Sequence, residues 1–191
     1  MSLNDSAIAN NALHEWSTQP ERERTGRVTG AKMYFARMQM GHAFEALEIV
    51  REISESALLL AAVNECDSVT RASFATVEAF LDTNDYKTLR LVRNNLSFHY
   101  SRSLSDRAFR RVAKASPTAS YSHSLGTRPI DWHFELADRV IDSIMVRDVL
   151  KVPEGISAQP ATDEALARLW EVQVKFADFA GYFARHHTSQ S

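Results

Sequence analysis

The densest chemistry in the chain sits in one run, Leu91-Val92-Arg93-Asn94-Asn95-Leu96-Ser97-Phe98-His99-Tyr100. An imidazole titrates near neutral pH and can give or take a proton. A guanidinium keeps its charge, and its planar fork matches a phosphate. An amide such as Asn94 can orient the two but cannot transfer the proton. Arg93, Asn94 and His99 are therefore the candidate catalytic residues. Plainer roles stay open beside this one. His99 continues the apolar stripe Leu89, Val92, Leu96 and can be a core histidine. Arg93 can cap neighbouring backbone carbonyls.

Other templates fail. The chain has no GxxxxGK[ST] and no GxGxxG following a strand, so no phosphate-cradling loop is expected. CxxC and HExxH are absent as well. The histidines are His14, His42, His99, His123, His133, His186 and His187. The pair His42/Glu45 has i, i+3 spacing, but one such pair does not make a four-ligand site. His186 and His187, near the end, could bind a metal adventitiously and are assigned no function. The single cysteine, Cys66, has no basic neighbour in sequence to activate it. The expectation is no metal site and no cofactor.

Charge separates the run from the rest of the chain. From Lys87 to Lys114 there are eight basic residues and one acidic, Asp106. The remainder holds 14 basic and 23 acidic residues, for an overall net charge of −2. A local positive field on an acidic protein focuses anions onto one region. Arg90, Arg102, Arg107, Arg110, Arg111 and Lys114 are the candidate contacts to nucleic-acid phosphates. A solvated charged face is the simpler alternative.

These residues need a scaffold. Helical spacing runs through Met33, Ala36, Met40, Ala43, Leu47, Val50, Ile53, Ala57 and Leu60, which predicts one long helix from Ala31. Its other face carries Glu45, Glu48, Glu52 and Glu55, either solvated or meeting a basic stripe elsewhere. Asp67-Ser68 predicts the start of a second helix, with Phe74, Val77, Phe80 and Leu81 inward. Thr83-Asn84-Asp85 starts a third, which carries the motif. A fourth is expected from about Ser103 to Ala115, a loop over Ser116–Pro129, and a fifth helix from about Trp132 to Leu150. Pro153, Gly155 and Pro160 break it, and Thr162 caps the last. The predicted fold is all-α, an antiparallel bundle of five to six helices in a single domain over residues 31–186. Residues 1–30 read as a polar N-terminal arm, with a short helix near Ala7–Trp16, and 187–191 as a tail.

No run of about 18 apolar residues exists, so no membrane span is expected. The first residues, MSLNDSAIANNALHEW, lack the basic start and apolar core of a secretory signal. With one cysteine, a reducing, cytoplasmic location is expected.

The run Arg93-Asn94 followed by His99, near the end of a bundle helix, resembles the Arg-X4–6-His motif of the HEPN superfamily. These are small all-helical domains, many of them metal-independent endoribonucleases of toxin–antitoxin, abortive-infection and CRISPR systems. In the family the residue after Arg is usually Asn, Asp or His, and Asn94 fits. VRNNLSFHY as a whole is similar to bacterial abortive-infection members. One branch, partnered with nucleotidyltransferases, has a tyrosine two places after His. Here Tyr100 follows His99 directly, which sets the chain apart from that branch. The motif spans seven of 191 residues.

The resemblance implies an HEPN-like bundle that cleaves or binds RNA. Metal-free cleavage requires the 2′-OH to lose a proton, the leaving 5′-oxygen to gain one, and the charge on phosphorus to be stabilised. Arg93 and His99 would be the catalytic pair. Six residues along an α-helix rise roughly 9 Å and leave their side chains about 120° apart, so one helix does not close the pair around a phosphate. A second copy across a twofold axis could, and the resemblance implies such a homodimer, with an antitoxin protein as a further partner. The alternative is a non-enzymatic helical dimer that binds nucleotide, RNA or a protein.

Overall fold

The computed structural model describes residues 2–18, 26–97, 101–124, 127, 133–157 and 159–188. His99 lies outside the described residues, as do Phe98, Tyr100 and Trp132. The architecture is an all-α helical bundle. The helices are α1 (Ser2–Ser17), α2 (Gly26–Glu55), α3 (Ala57–Glu65), α4 (Ser68–Phe80), α5 (Asn84–Val92), α6 (Arg102–Ala115), α7 (Glu135–Ser143) and α8 (Gln159–Thr188). Among the described residues two π-helical turns interrupt the α pattern: π1 (Arg93–Ser97) follows α5 and π2 (Ile144–Val149) follows α7. Among the described residues, β1 (His123–Ser124) pairs antiparallel with β2 (His133–Phe134): β1 lies in the segment expected to be a plain loop, and β2 takes the expected start of the fifth helix, which begins instead at Glu135.

Local signals explain most of these boundaries. Asp67 caps α4, its Oδ1 accepting from the Thr70 backbone N–H at 2.8 Å, and Thr83 caps α5 through the Tyr86 N–H at 3.2 Å. The long first helix expected from Ala31 differs in two ways. It begins at Gly26, so Gly26 and Gly30 belong to a helix rather than an arm. At Gly30 the missing side chain admits the Asp138 carboxylate of α7. The helix also ends at Glu55: Ser56 is extended and its hydroxyl accepts from the Leu59 N–H at 3.4 Å, which starts α3 afresh. A serine that can satisfy an N-terminal donor competes with helix continuation even where the apolar period runs on.

The polar arm expected over 1–30 contains α1, which packs on α2 with Ala9 buried. Gln39, itself buried, donates to Asn10 at 3.3 Å and to Gln173 at 3.1 Å, so one amide joins α1, α2 and α8. Pro160, expected as a breaker, sits in the first turn of α8, where its missing N–H costs no helical bond.

Leu47, Val50, Val63, Val77, Val92, Leu96 and Ile144 form the centre of the core, drawn from six elements: α2, α3, α4, α5, π1 and π2. Phe74 of α4 meets Phe179 of α8 at 5.1 Å between ring centroids, and Phe179 meets Phe183 at 5.5 Å. Among the described residues no helix is long and apolar enough to cross a membrane.

Candidate functional site

The stripe that positions the motif is Leu89, Val92 and Leu96, all fully buried. The continuous α-helix expected through His99 is replaced by π1 from Arg93 onward, so the 120° relation derived for an α-helix does not apply. Arg37 of α2 holds this irregular turn. Its guanidinium is buried and donates through Nη1 to the Leu96 carbonyl at 2.7 Å and through Nε to the Met33 carbonyl at 3.1 Å. In return the Ser97 hydroxyl donates to the Arg37 carbonyl at 2.7 Å. The carbonyl-capping role weighed for Arg93 thus falls to Arg37 at this turn, a residue the motif search did not single out.

Arg93 faces α2 instead. Its Nε donates to Glu45 Oε1 at 2.6 Å, and its Nη1 donates to Asn94 Oδ1 at 3.2 Å. The two charged side chains are about equally accessible, 37% for Arg93 and 42% for Glu45. Among the described residues Nη2 has no protein partner, so the outer edge of the fork stays accessible. A guanidinium anchored at Nε and open at its far end can still donate to a phosphate oxygen.

The acidic stripe of α2 therefore divides. Glu45 takes Arg93. Glu48 accepts the Tyr86 hydroxyl and pairs with Arg51. Burial, then that bond to Glu48, pushes the Tyr86 phenol above its usual range. Glu52 and Glu55 remain exposed. On the other flank of α5, Asp85 receives a two-pronged bond from Arg168 of α8, at 2.6 and 3.1 Å.

The candidate phosphate-binding residues do not form one uniform face. Arg90, Arg102, Arg110 and Lys114 are exposed. Arg111 turns inward: it donates to the Ser143 hydroxyl at 3.1 Å and carbonyl at 3.2 Å, and it pairs with Asp148, whose side chain is only 12% accessible. Arg107 lies 3.8 Å from the same carboxylate. A cleft of about 760 Å³ opens beside Arg111 and Lys114, walled by Tyr121, Glu135, Arg139, Asp142 and Arg147, but none of the described residues of the motif lines it. Its charges are mixed. The Ser122 N–H and hydroxyl, together with Arg139, hold the Glu135 carboxyl down to about 2. Burial raises Asp142 above the usual carboxylate range.

A second cluster assembles where no motif pointed. The last turn of α8 brings His186 and His187 to Cys66 at the α3–α4 junction, with one ligand atom of each within 4.8 Å of the others. Cys66 is buried, and that burial, with Asp67 and Glu65 nearby, pushes its thiol up. Only the tertiary packing of α8 on α4 reveals the cluster; the cysteine and the histidine pair are far apart in the chain. Compared with known proteins, the chain matches no family model, no curated protein and no solved structure.

Proposed function

We propose that the chain is an HEPN-type, metal-independent endoribonuclease or RNA-binding protein that works as a homodimer, with Arg93, Asn94 and His99 at its centre. The observation that carries this reading is the divided guanidinium of Arg93. Its Nε is committed to Glu45, Asn94 steadies one terminal nitrogen, and among the described residues no protein group takes the outer edge of a side chain that is 37% accessible. A side chain used only as a structural clamp gains nothing from keeping that edge accessible.

In this reading the 2′-oxygen of a ribose attacks the adjacent phosphorus, and the bond to the 5′-oxygen breaks. Arg93 stabilises the extra negative charge on the phosphorane oxygens. His99 and its counterpart in a second copy transfer the two protons, one from the 2′-OH and one to the leaving 5′-oxygen. The products are a 2′,3′-cyclic phosphate and a 5′-hydroxyl. Exposed Arg90, Arg102, Arg110 and Lys114 hold flanking phosphates. The exposed apolar side chains Leu91 and Phe109, on the helices either side of the motif, support a self-contact there. A toxin or phage-defence role, with an antitoxin as partner, fits a nuclease that must be restrained.

The experiment is cleavage of a mixed single-stranded RNA by wild type, Arg93→Ala and His99→Ala, with melting temperatures measured alongside. The expected result is cyclic-phosphate ends from wild type in the presence of EDTA, and loss of cleavage in both folded variants. The Glu45–Arg93 pair also favours a second reading, in which Arg93 only ties α5 to α2 in a non-enzymatic binding module. RNA binding without cleavage by wild type, together with a lowered melting temperature for Arg93→Ala, would select it.

A further inference from the structure

We propose that Cys66, His186 and His187 form a zinc site that fastens the last turn of α8 to the junction of α3 and α4. Cys66 is the C-terminal cap of α3, with an extended backbone. Its Sγ lies 3.9 Å from His187 Nε2. For a tetrahedral zinc with ordinary Zn–S and Zn–N bond lengths, sulfur and nitrogen ligands stand roughly 3.6 Å apart. The observed separation is thus within a few tenths of an ångström of what a bound ion requires, and the three ligand atoms all fall within 4.8 Å of one another.

The surroundings support the same conclusion. The His187 ring rests on Phe183, at 4.5 Å between centroids, and meets His186 edge-on at 4.9 Å. These contacts hold the imidazoles at the buried cysteine. One sulfur and two imidazoles are borderline-soft ligands, suited to zinc and poorly suited to magnesium or calcium. On binding, the Cys66 thiol releases one proton to solvent and each histidine offers a neutral nitrogen lone pair. Three protein ligands leave the fourth position to water. None of the residues proposed for RNA cleavage takes part.

The test uses the full chain without a polyhistidine tag, stripped with chelator and titrated with Co²⁺, then with Zn²⁺ in competition. One ion per chain is expected, with a thiolate-to-cobalt charge-transfer band and the visible absorption of a tetrahedral centre. Zinc should displace cobalt, raise the melting temperature, and slow amide exchange in the last turn of α8. Cys66→Ala should abolish the charge-transfer band, and His187→Gln should weaken zinc binding by more than about 100-fold. His187 is only partly buried, so the glutamine variant tests the site even if a change at Cys66 disturbs packing. Binding that persists unchanged in Cys66→Ala, or cobalt binding by wild type with no thiolate band, would mean the histidine pair alone captures metal adventitiously and would overturn the proposal.

Discussion

Arg93 shows how one side chain can be structural and available at once. Its Nε bond to Glu45 crosses from π1 to α2, one terminal nitrogen donates to Asn94, and the side chain remains 37% accessible. Substitution at the proposed pair should therefore separate chemistry from folding. Arg93→Ala and His99→Ala are each expected to lose about 10²–10⁴-fold in cleavage rate with the helical spectrum retained. Arg93→Lys should not rescue, because an ammonium has no second edge to keep Glu45 while meeting a phosphate. Glu45→Gln should tighten RNA binding and slow turnover, since the amide removes a negative charge beside the phosphate but holds Arg93 less firmly. Equal kinetics for Glu45→Gln and wild type would place Arg93 outside the reaction. The motif was visible in the sequence because its residues are near neighbours. Glu45 and Arg37 were not singled out as its partners, because helical periodicity reports which face a residue occupies and not what stands across from it. Cys66 and His187, 121 positions apart, meet only after folding.

Elements were legible where their signals are local. Asp67 and Thr83 announce α4 and α5 because a cap needs only the next three residues. The break at Ser56 was hidden by an apolar period that continues across it, and both π turns were hidden because their buried positions satisfy α-helical spacing as well. The exit from π2 tests one such detail. There Lys151 adopts a positive φ of 57°, while the Val152 N–H reaches back to the Val146 carbonyl at 3.0 Å. That backbone suits glycine, so Lys151→Gly is expected to be neutral or to stabilise by up to about 1 kcal/mol, read from chemical denaturation. At the hairpin, Glu135 lies far below its ordinary 4.5 when folded. Its ties to Ser122 should be complete above about pH 4.5 and should be lost as the pH falls toward 2. Amide exchange at Ser122 would follow that loss in wild type, and Glu135→Gln should remove this pH dependence. An unchanged profile in the variant would show that Ser122 is held by something else.

For the molecule as a whole, the all-α class followed from regular apolar spacing and few breakers, whereas the way helices pair had to come from the packing itself. Charge illustrates the difference. The cluster from Lys87 to Lys114 is uniform on paper, but Asp148 draws Arg111 inward and leaves Arg90, Arg102, Arg110 and Lys114 outside. Glutamate at two of these exposed positions should weaken RNA binding across sequences and flatten the salt dependence by about one unit per lost phosphate contact. Arg111→Ala should act through stability instead, costing about 1–3 kcal/mol as Asp148 and Ser143 lose a charged partner. If Arg111→Ala leaves the denaturation midpoint unmoved, the inward pair has no structural weight. A twofold dimer should bury at least about 1,200 Å² in total and sediment as a dimer at micromolar concentration. A monomer under those conditions would leave each chain with an incomplete site.

π1 has a consequence for how this chain tolerates changes in length. A ring closed from residue i to i+5 encloses one residue more than an α-helical ring, so π1 carries a spare residue along the helix axis. Removing it, for instance by deleting Asn95, would let α5 run on with ordinary hydrogen bonding and an almost unchanged composition. Everything downstream would then keep nearly its present direction relative to Arg93, because a π-turn sweeps about the same angle as an α-helical turn with one residue fewer. A deletion inside α5, which has no spare residue, would instead turn everything after it by about 100°, like a gear advanced by a single tooth. Length here is an angle: the loss of one residue should be absorbed at π1 and should misalign the motif if it falls one turn earlier.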